Sequence, residues 1–131
     1  MAGSVRATFR PNRAGIAAAG RSEGIYRELE RRAEKVERLA LALYEPHRKT
    51  GAYGRGFRKE RARVRGQAAV RLVNDSGHAA ILEHGSRPHI IEPRTKKALY
   101  WDGAAHPVRK VHHPGTPAFH IMRNALKAAG R

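Results

Sequence analysis

Apolar residues recur every three or four positions between Ser22 and Tyr44, the spacing that lines them up along one side of an α-helix. Ser22 is a suitable N-cap, and Glu23 follows it in the first turn, where the helix dipole favours negative charge. Pro46 cannot continue a helix, so the pattern predicts that the helix ends just before it. Acids and bases alternate on the remaining faces, which indicates a solvated surface of self-paired charges rather than a nucleic-acid face.

The pattern changes to strict alternation over residues 61–74, where small or apolar residues take every second position. This period of two predicts one long strand with a core face and a charged face. The charged face would carry Arg61, Arg63, Arg65, Gln67 and Arg71. Because no acid lies in that row, we expect it to face DNA or an acidic partner. The alternative is a solvated arginine edge that discourages aggregation.

The segment between the helix and this strand, residues 47–59, is rich in glycine and in basic residues, which predicts a loop. Tyr53 and Phe57 either stack on the bases of single-stranded nucleic acid or anchor the loop to its own domain. The surface expected to face DNA or an acidic partner also includes three cations of this segment, Arg55, Arg58 and Lys59.

Shorter elements follow a strong turn signal at residues 74–77. Residues 78–84 are predicted to form a short helix, which Gly85 ends because glycine adopts positive φ without steric cost. Pro88 and Pro93 enclose a short extended piece suited to a sheet edge.

The last third of the chain is predicted to contain a hairpin and a helix. Residues 97–101 and 106–112 are expected to pair as strands around the turn Asp102-Gly103. Residues 118–129 then carry a helical stripe of apolar positions. Together the elements predict an α+β fold, in which a long N-terminal helix and a C-terminal helix pack on a small, mainly antiparallel β-sheet.

The chain has 131 residues, enough for one domain and too few for two ordinary ones. Residues 1–20 contain three arginines and no acid, so we expect an extended basic N-terminal arm. Residues 21–131 show no internal boundary and are expected to form a single domain.

The charge balance is strongly basic, with 27 lysines and arginines against 11 acids and a formal net charge of +16. Such charge repels itself unless a negative partner is near, and nucleic acid is the usual partner. No predicted helix combines a basic face with a strongly apolar one, and no apolar run approaches the roughly 18 residues of a membrane span, so we expect no membrane partner. The N-terminus shows no apolar segment of a secretory signal, which favours a protein made in a cytoplasm.

The sequence offers little that is typical of catalysis. Eight histidines invite a metal site, but none has the helical i,i+4 spacing around a glutamate that zinc hydrolases use, and there is no cysteine. Ser86 does not lie in a Gly-x-Ser-x-Gly elbow. We expect no catalytic residue, no cofactor and no metal; a histidine-based metalloenzyme is the remaining alternative.

Several short motifs in one order carry a family resemblance: AAILEHGSRPHIIEP at 79–93, KALYW at 97–101, HPGTPAF at 113–119 and NAL at 124–126. This run resembles the "gene product ten-like" neck and tail-completion proteins of siphophages, a family related to the minor tail protein Z group. The resemblance covers about residues 22–127. The positions taken as the family motif and as subunit contacts are Glu83, Gly85, Ser86, Arg87, Pro88, His113, Pro114, Gly115, Thr116 and Phe119.

The resemblance implies a non-enzymatic virion protein at the head–tail junction, assembled in the host cytoplasm. It would form a homo-oligomeric ring of six or twelve copies between the stopper or adaptor and the tail terminator. Genomic DNA would pass through the ring. Charge reversal of Arg61, Arg63 and Arg65 is expected to leave folding intact and to block head joining or DNA retention. The alternative function is a stand-alone basic nucleic-acid-binding protein.

Overall fold

The computed structural model describes residues 3–4 and 6–131. The helices are α1 (Arg13–Ala19), α2 (Glu23–Tyr44), α3 (Ala52–Arg55), α4 (Ala79–His84) and α5 (Ile121–Ala129). The strands are β1 (Phe57–Val64), β2 (Gln67–Asn74), β3 (His89–Ile91) and β4 (Val111–His113). β1 pairs with β2 and β3 with β4, each pair antiparallel. The predicted α+β class, with a long helix, a C-terminal helix and small antiparallel sheets, is confirmed.

Helix α2 is the element that the other parts pack against, and its predicted bounds are confirmed. The Ser22 side chain caps it by accepting a hydrogen bond from the Ile25 backbone N–H at 3.4 Å. At its other end the chain tightens into a 3₁₀ turn, Glu45–His47, which contains Pro46. Because proline cannot donate the next helical hydrogen bond, the α-helix stops there.

The core is small and lies where α2 packs against α5 and β2. Its buried side chains are Val36, Ala40, Tyr44, Tyr53, Leu82, Ile121 and Ala125. The Tyr53 ring is only 1% exposed and lies 4.5 Å, centroid to centroid, from the Tyr44 ring. Phe57 packs edge-on against Tyr53 at 5.1 Å. Of the two readings for this aromatic pair, anchoring is therefore correct, and stacking on nucleic acid is wrong for the buried Tyr53.

The predicted single strand over residues 61–74 is wrong, because the chain turns back on itself at Arg65-Gly66. Both turn residues have positive φ, 51° for Arg65 and 78° for Gly66. Positive φ at both central positions is typical of the tight two-residue turn that joins antiparallel strands. Val64 consequently lies opposite Gln67 in the register.

This turn changes which residues share a face. Residues directly opposite one another in an antiparallel pair lie on the same side of the sheet. Arg61 is opposite Val70 and Arg63 is opposite Ala68, so these two arginines share a face with the apolar residues of β2. Arg71 is opposite Glu60 and lies on the other face. The predicted arginine row is therefore divided between two faces and a turn.

The N-terminal arm is exposed in residues 6–16, but it is not extended throughout, as the prediction had it. Residues Arg13–Ala19 form helix α1, and the Asn12 side chain caps it by accepting a hydrogen bond from the Gly15 N–H at 2.9 Å. Gly20 then joins the arm to the body, because its carbonyl accepts a hydrogen bond from the Ala68 N–H at 3.1 Å. Residues 1, 2 and 5 of the predicted arm lie outside the described residues.

The C-terminal third differs in detail from the prediction. The hairpin expected between residues 97–101 and 106–112 is reduced to one antiparallel bridge between Leu99 and Val108, and the strand β4 begins near its predicted end, at Val111. That strand pairs with His89–Ile91, the short extended piece between the two prolines. Helix α5 begins at Ile121, three residues later than predicted, because His120 at its N-cap has a φ of 51°.

Candidate functional site

Arg61, the first residue of the predicted DNA-facing row, is held by two carboxylates of α2. Its guanidinium donates hydrogen bonds of 2.8 and 2.9 Å to Glu23 and of 2.6 and 3.1 Å to Glu30. The guanidinium carbon also lies 4.9 Å from the centre of the Tyr26 ring. Hydrogen bonding to Arg61 is the main reason that the pKa of each glutamate is lowered from its ordinary value of 4.5. The premise that no acid neutralises this row is therefore wrong at Arg61.

Two other cations of the predicted surface also have acidic partners. The Lys59 ammonium lies 3.6 Å from Glu34 and 3.5 Å from Glu37, which links β1 to α2 a second time. Arg58 lies 3.1 Å from a carboxylate oxygen of Glu60 on the same strand and 3.3 Å from Asp75. These cations therefore contribute to holding the β1–β2 hairpin in place, and their predicted role toward DNA is weakened.

The remaining cations of that set are Arg55, Arg63, Arg65 and Arg71, all exposed. None of the four forms an ion pair with a residue that the structure describes. Arg63 and Arg71 lie on opposite faces of the hairpin and Arg65 lies in its turn. They do not form one continuous row, and their role in facing DNA stays a prediction.

The two segments that carry the family resemblance meet in the structure. The Ser86 N–H donates to the Thr116 carbonyl at 2.8 Å, and the Thr116 N–H donates to the Ser86 carbonyl at 3.1 Å and to its hydroxyl at 3.0 Å. Gly85 and Gly115 flank this bridge with φ of 74° and 90°. A side chain on Gly85 would lie 2.5 Å from the Thr116 carbonyl oxygen. The two glycines therefore let the backbones approach closely enough to pair.

Other motif residues extend this contact into the body. The Phe119 N–H donates to the Leu82 carbonyl at 2.9 Å, and the Phe119 ring stacks on the His47 ring at 3.8 Å. The Glu83 carboxylate accepts hydrogen bonds from the N–H groups at the start of α5. These motif positions thus hold α4 against α5 within one molecule, and a subunit contact by them stays a prediction.

The Ser86–Thr116 bridge closes the base of a long excursion, residues 87–113, which we call the β3–β4 hairpin. Arg87, Pro88 and Pro114 are exposed at its base. The His113 ring lies 5.0 Å from the His89 ring, and its Nδ1 accepts a hydrogen bond from the Gly115 N–H at 3.0 Å. The β3–β4 hairpin contains six lysines and arginines but only two acids. The sequence prediction omitted five of these cations, Arg94, Lys96, Lys97, Arg109 and Lys110, although this local charge excess was visible.

An open groove of about 530 Å³ runs between α2, β2 and α5. Its lining is mainly apolar and consists of Leu29, Ala33, Val36, Val70, Leu72, Met122 and Leu126, together with Arg32, Glu83 and Arg123. Leu126 is 65% exposed beside it. Such a lining is suited to apolar contacts.

In the described part of the chain, the His, Asp and Glu side chains do not gather in any group of three or more that could hold a metal ion. Among the same residues, no helix combines the length and apolar character needed to cross a membrane. Comparisons of the chain with protein-family models, with curated proteins and with solved structures gave no match.

Proposed function

We propose that the protein is a non-enzymatic structural subunit of the head-to-tail connector of a tailed bacteriophage. In this role it forms a ring of six or twelve copies, joins other connector proteins above and below, and surrounds the genomic DNA. The motif resemblance of residues 79–126 supports this choice of assembly. The large exposed surface of the single chain supports the more general point that it is part of an assembly.

The observation that carries the proposal is the large surface of the single chain. Its accessible surface is 10802 Å² for a mass of 14.6 kDa. A compact monomer of that mass exposes roughly 6,900 Å². The excess of about 3,900 Å² lies within the range of roughly 2,000–5,000 Å² that permanent interfaces bury. A ring subunit contributes half of each of two interfaces, so the area that it buries equals one such interface.

The distribution of apolar side chains supports the same conclusion. Large apolar residues are exposed on every part of the chain, among them Phe9, Ile16, Val64, Ile90, Trp101 and Leu126. Among the residues that the structure describes, seven form the buried core. Burial of apolar surface is the main favourable term in folding and in association, so covering these side chains by neighbouring copies would stabilise the fold.

The proposal is tested on purified phage particles. We expect quantitative mass spectrometry to find six or twelve copies per particle, and native mass spectrometry of the isolated chain to find rings of the same number. Particles that lack the chain should accumulate as DNA-filled heads and separate tails. Complete tailed particles without this protein would refute the proposal.

A stand-alone nucleic-acid-binding protein is the second candidate, favoured by the cations of the β3–β4 hairpin that have no acidic partner in the described residues. It predicts a monomer in solution at micromolar concentration. Sedimentation velocity separates the two functions, because a ring of six 14.6 kDa chains sediments far faster than a monomer.

A further inference from the structure

We propose that the β3–β4 hairpin, rather than the β1–β2 hairpin, is the surface that binds nucleic acid through its phosphates. The inference goes beyond the proposed function, because it rests on the charges of one chain and applies with or without a ring. It also replaces the arginine row as the expected DNA-facing element.

Most acidic side chains of the chain lie outside the β3–β4 hairpin and already have partners there. Eight of the 11 acidic residues form ion pairs within the described part of the chain, and all eight lie between residues 23 and 75. Glu83 binds the start of α5. The two acids left are Glu92 and Asp102, both within the β3–β4 hairpin. The ion-paired acids of the described chain therefore all lie outside the hairpin, and they do not compensate the hairpin's own cations.

The hairpin presents that charge to solvent. Its cations are Arg87, Arg94, Lys96, Lys97, Arg109 and Lys110, and all six are exposed. None of the six is ion-paired to a residue within the described ranges. With two acids against six cations, the hairpin carries a formal charge of +4. Exposed lysine and arginine of this kind bind phosphates without reading sequence.

The backbone brings four of these cations together. The N–H and carbonyl groups of Leu99 and Val108 exchange two hydrogen bonds, of 2.7 and 3.0 Å. Lys96 and Lys97 precede this bridge on one side, and Arg109 and Lys110 follow it on the other. All four therefore lie within three residues of this bridge, on two chain segments that the bridge holds side by side, and such a cluster of cations suits the closely spaced phosphates of a nucleic acid.

The tip of the hairpin carries an exposed aromatic pair. Tyr100 is 68% exposed and Trp101 is 50% exposed. A turn holds them, because the Ala104 N–H donates to the Trp101 carbonyl at 2.9 Å and Gly103 has a φ of 91°. Trp101 is the only tryptophan of the chain. Its fluorescence therefore reports directly on a ligand that reaches this tip.

The experiment titrates the full chain with a 20-base-pair duplex of random sequence at several salt concentrations. Binding is followed by Trp101 fluorescence and by the anisotropy of a labelled duplex. The test variant carries Lys96→Gln, Lys97→Gln and Lys110→Gln. The matched control carries Arg63→Gln, Arg65→Gln and Arg71→Gln, which removes the same charge from the other hairpin.

For the wild-type chain we expect tight binding that weakens steeply with salt and changes the Trp101 fluorescence. Each cation that contacts a phosphate contributes about one unit to the slope of log K against log salt. The test variant should therefore lose about three units of slope, and the control variant should keep the wild-type slope. Arg94→Gln with Arg109→Gln provides an independent second variant, with an expected loss of about two units.

Three results would overturn the inference. The first is a loss of slope in the control variant with none in the hairpin variants, and the second is no salt-dependent binding by the wild-type chain. The third is equally tight binding of poly-glutamate through the same lysines, which would assign the hairpin to an acidic protein. Absence of the chain from phage particles would refute the proposed function and leave these binding results unchanged.

Discussion

The carboxylate of Glu83, the residue before the end of α4, accepts a hydrogen bond from the Met122 backbone N–H at 2.8 Å. Its other oxygen accepts from the Arg123 N–H at 3.2 Å. His120 occupies the N-cap of α5 and makes no side-chain cap bond. A residue 39 positions away in sequence thus supplies the cap that the helix lacks locally.

Substitution Glu83→Gln or Glu83→Ala should destabilise the protein. Each variant removes a negative charge from the positive end of the helix dipole, and Ala also removes both acceptors. We expect a loss of about 1–2 kcal/mol in the free energy of unfolding for Ala and a smaller loss for Gln. Urea unfolding followed by circular dichroism measures both. Glu92→Gln is the matched control, and equal effects at the two positions would contradict the capping role.

The close approach of the two motif segments predicts that Gly85 tolerates no side chain. Gly85→Ala would place a Cβ 2.5 Å from the Thr116 carbonyl oxygen at a residue whose φ is 74°. With a ψ of −176°, this backbone conformation is essentially confined to glycine and costs a residue with a Cβ about 1–3 kcal/mol, and the clash adds to that. We expect a drop of more than about 2 kcal/mol in unfolding free energy, with loss of amide-exchange protection at Ser86.

Two other glycines separate these causes. Gly103→Ala has a φ of 91° and open space around its Cβ, so it should show the conformational cost alone. Gly77→Ala has neither a positive φ nor a neighbour within 4 Å and should be nearly neutral. A Gly85→Ala variant no less stable than Gly103→Ala would show that the two segments do not need this approach.

What could be predicted from the sequence was encoded over a few neighbouring residues. Helix α2 has its cap, its stripe and its stop within residues 22–46, so its bounds were predicted correctly. Gly85 ends α4 as predicted, with a φ of 74°. In both cases the physical cause, a cap or a backbone conformation, acts within one or two turns.

The β1–β2 hairpin was missed because a two-residue turn hardly interrupts the alternation. Arg65-Gly66 is a weaker turn signal than Asn-Gly, and the pattern of small and basic residues continues across it. As a result, Arg61 and Arg63 were predicted to lie on the outer face, whereas in the structure they lie on the face that they share with Val70. Contact with Glu23, 38 residues away, depends on how the hairpin packs on α2, which no local pattern contains.

The ion pairs of Arg61 change the expected outcome of charge reversal. Arg61→Glu would place a third carboxylate beside Glu23 and Glu30, so this change alone should destabilise the fold. Arg63→Glu, at an exposed residue without an ion pair in the described chain, should leave folding nearly unchanged. We expect a clearly lower Tm for the Arg61 variant, with a smaller difference in 1 M NaCl, where charges are screened within about 3 Å.

The same site gives a pH dependence whose sign follows from the lowered pKa of Glu23 and of Glu30. Carboxylates with a lowered folded pKa stabilise the fold above their ordinary value of 4.5 and lose this contribution as pH falls through the lowered pKa. The difference in unfolding free energy between wild type and Arg61→Gln should therefore be largest near pH 7. It should shrink at acid pH, as Glu23 and Glu30 become protonated. A difference that does not depend on pH would mean that Arg61 acts through packing alone.

The buried hydroxyl of Tyr53 leads us to expect that the protein loses stability above pH 10. Burial, with the negative charge of Glu83 and the nearby Tyr44, raises the pKa of Tyr53 from 10.0 to about 12. An acid whose folded pKa is raised contributes stability below pH 10 that is lost as pH rises through 12. A shift of that size corresponds to about 2–3 kcal/mol. The Tyr53→Phe variant has no hydroxyl to ionise. The free energy of unfolding of wild type, measured in urea, should therefore fall by about this amount relative to that of Tyr53→Phe as the pH rises from about 9.5 to 12. Tyr100→Phe, at an exposed ring, should show no such gain, and parallel pH profiles for all three proteins would contradict burial of the Tyr53 hydroxyl in the core.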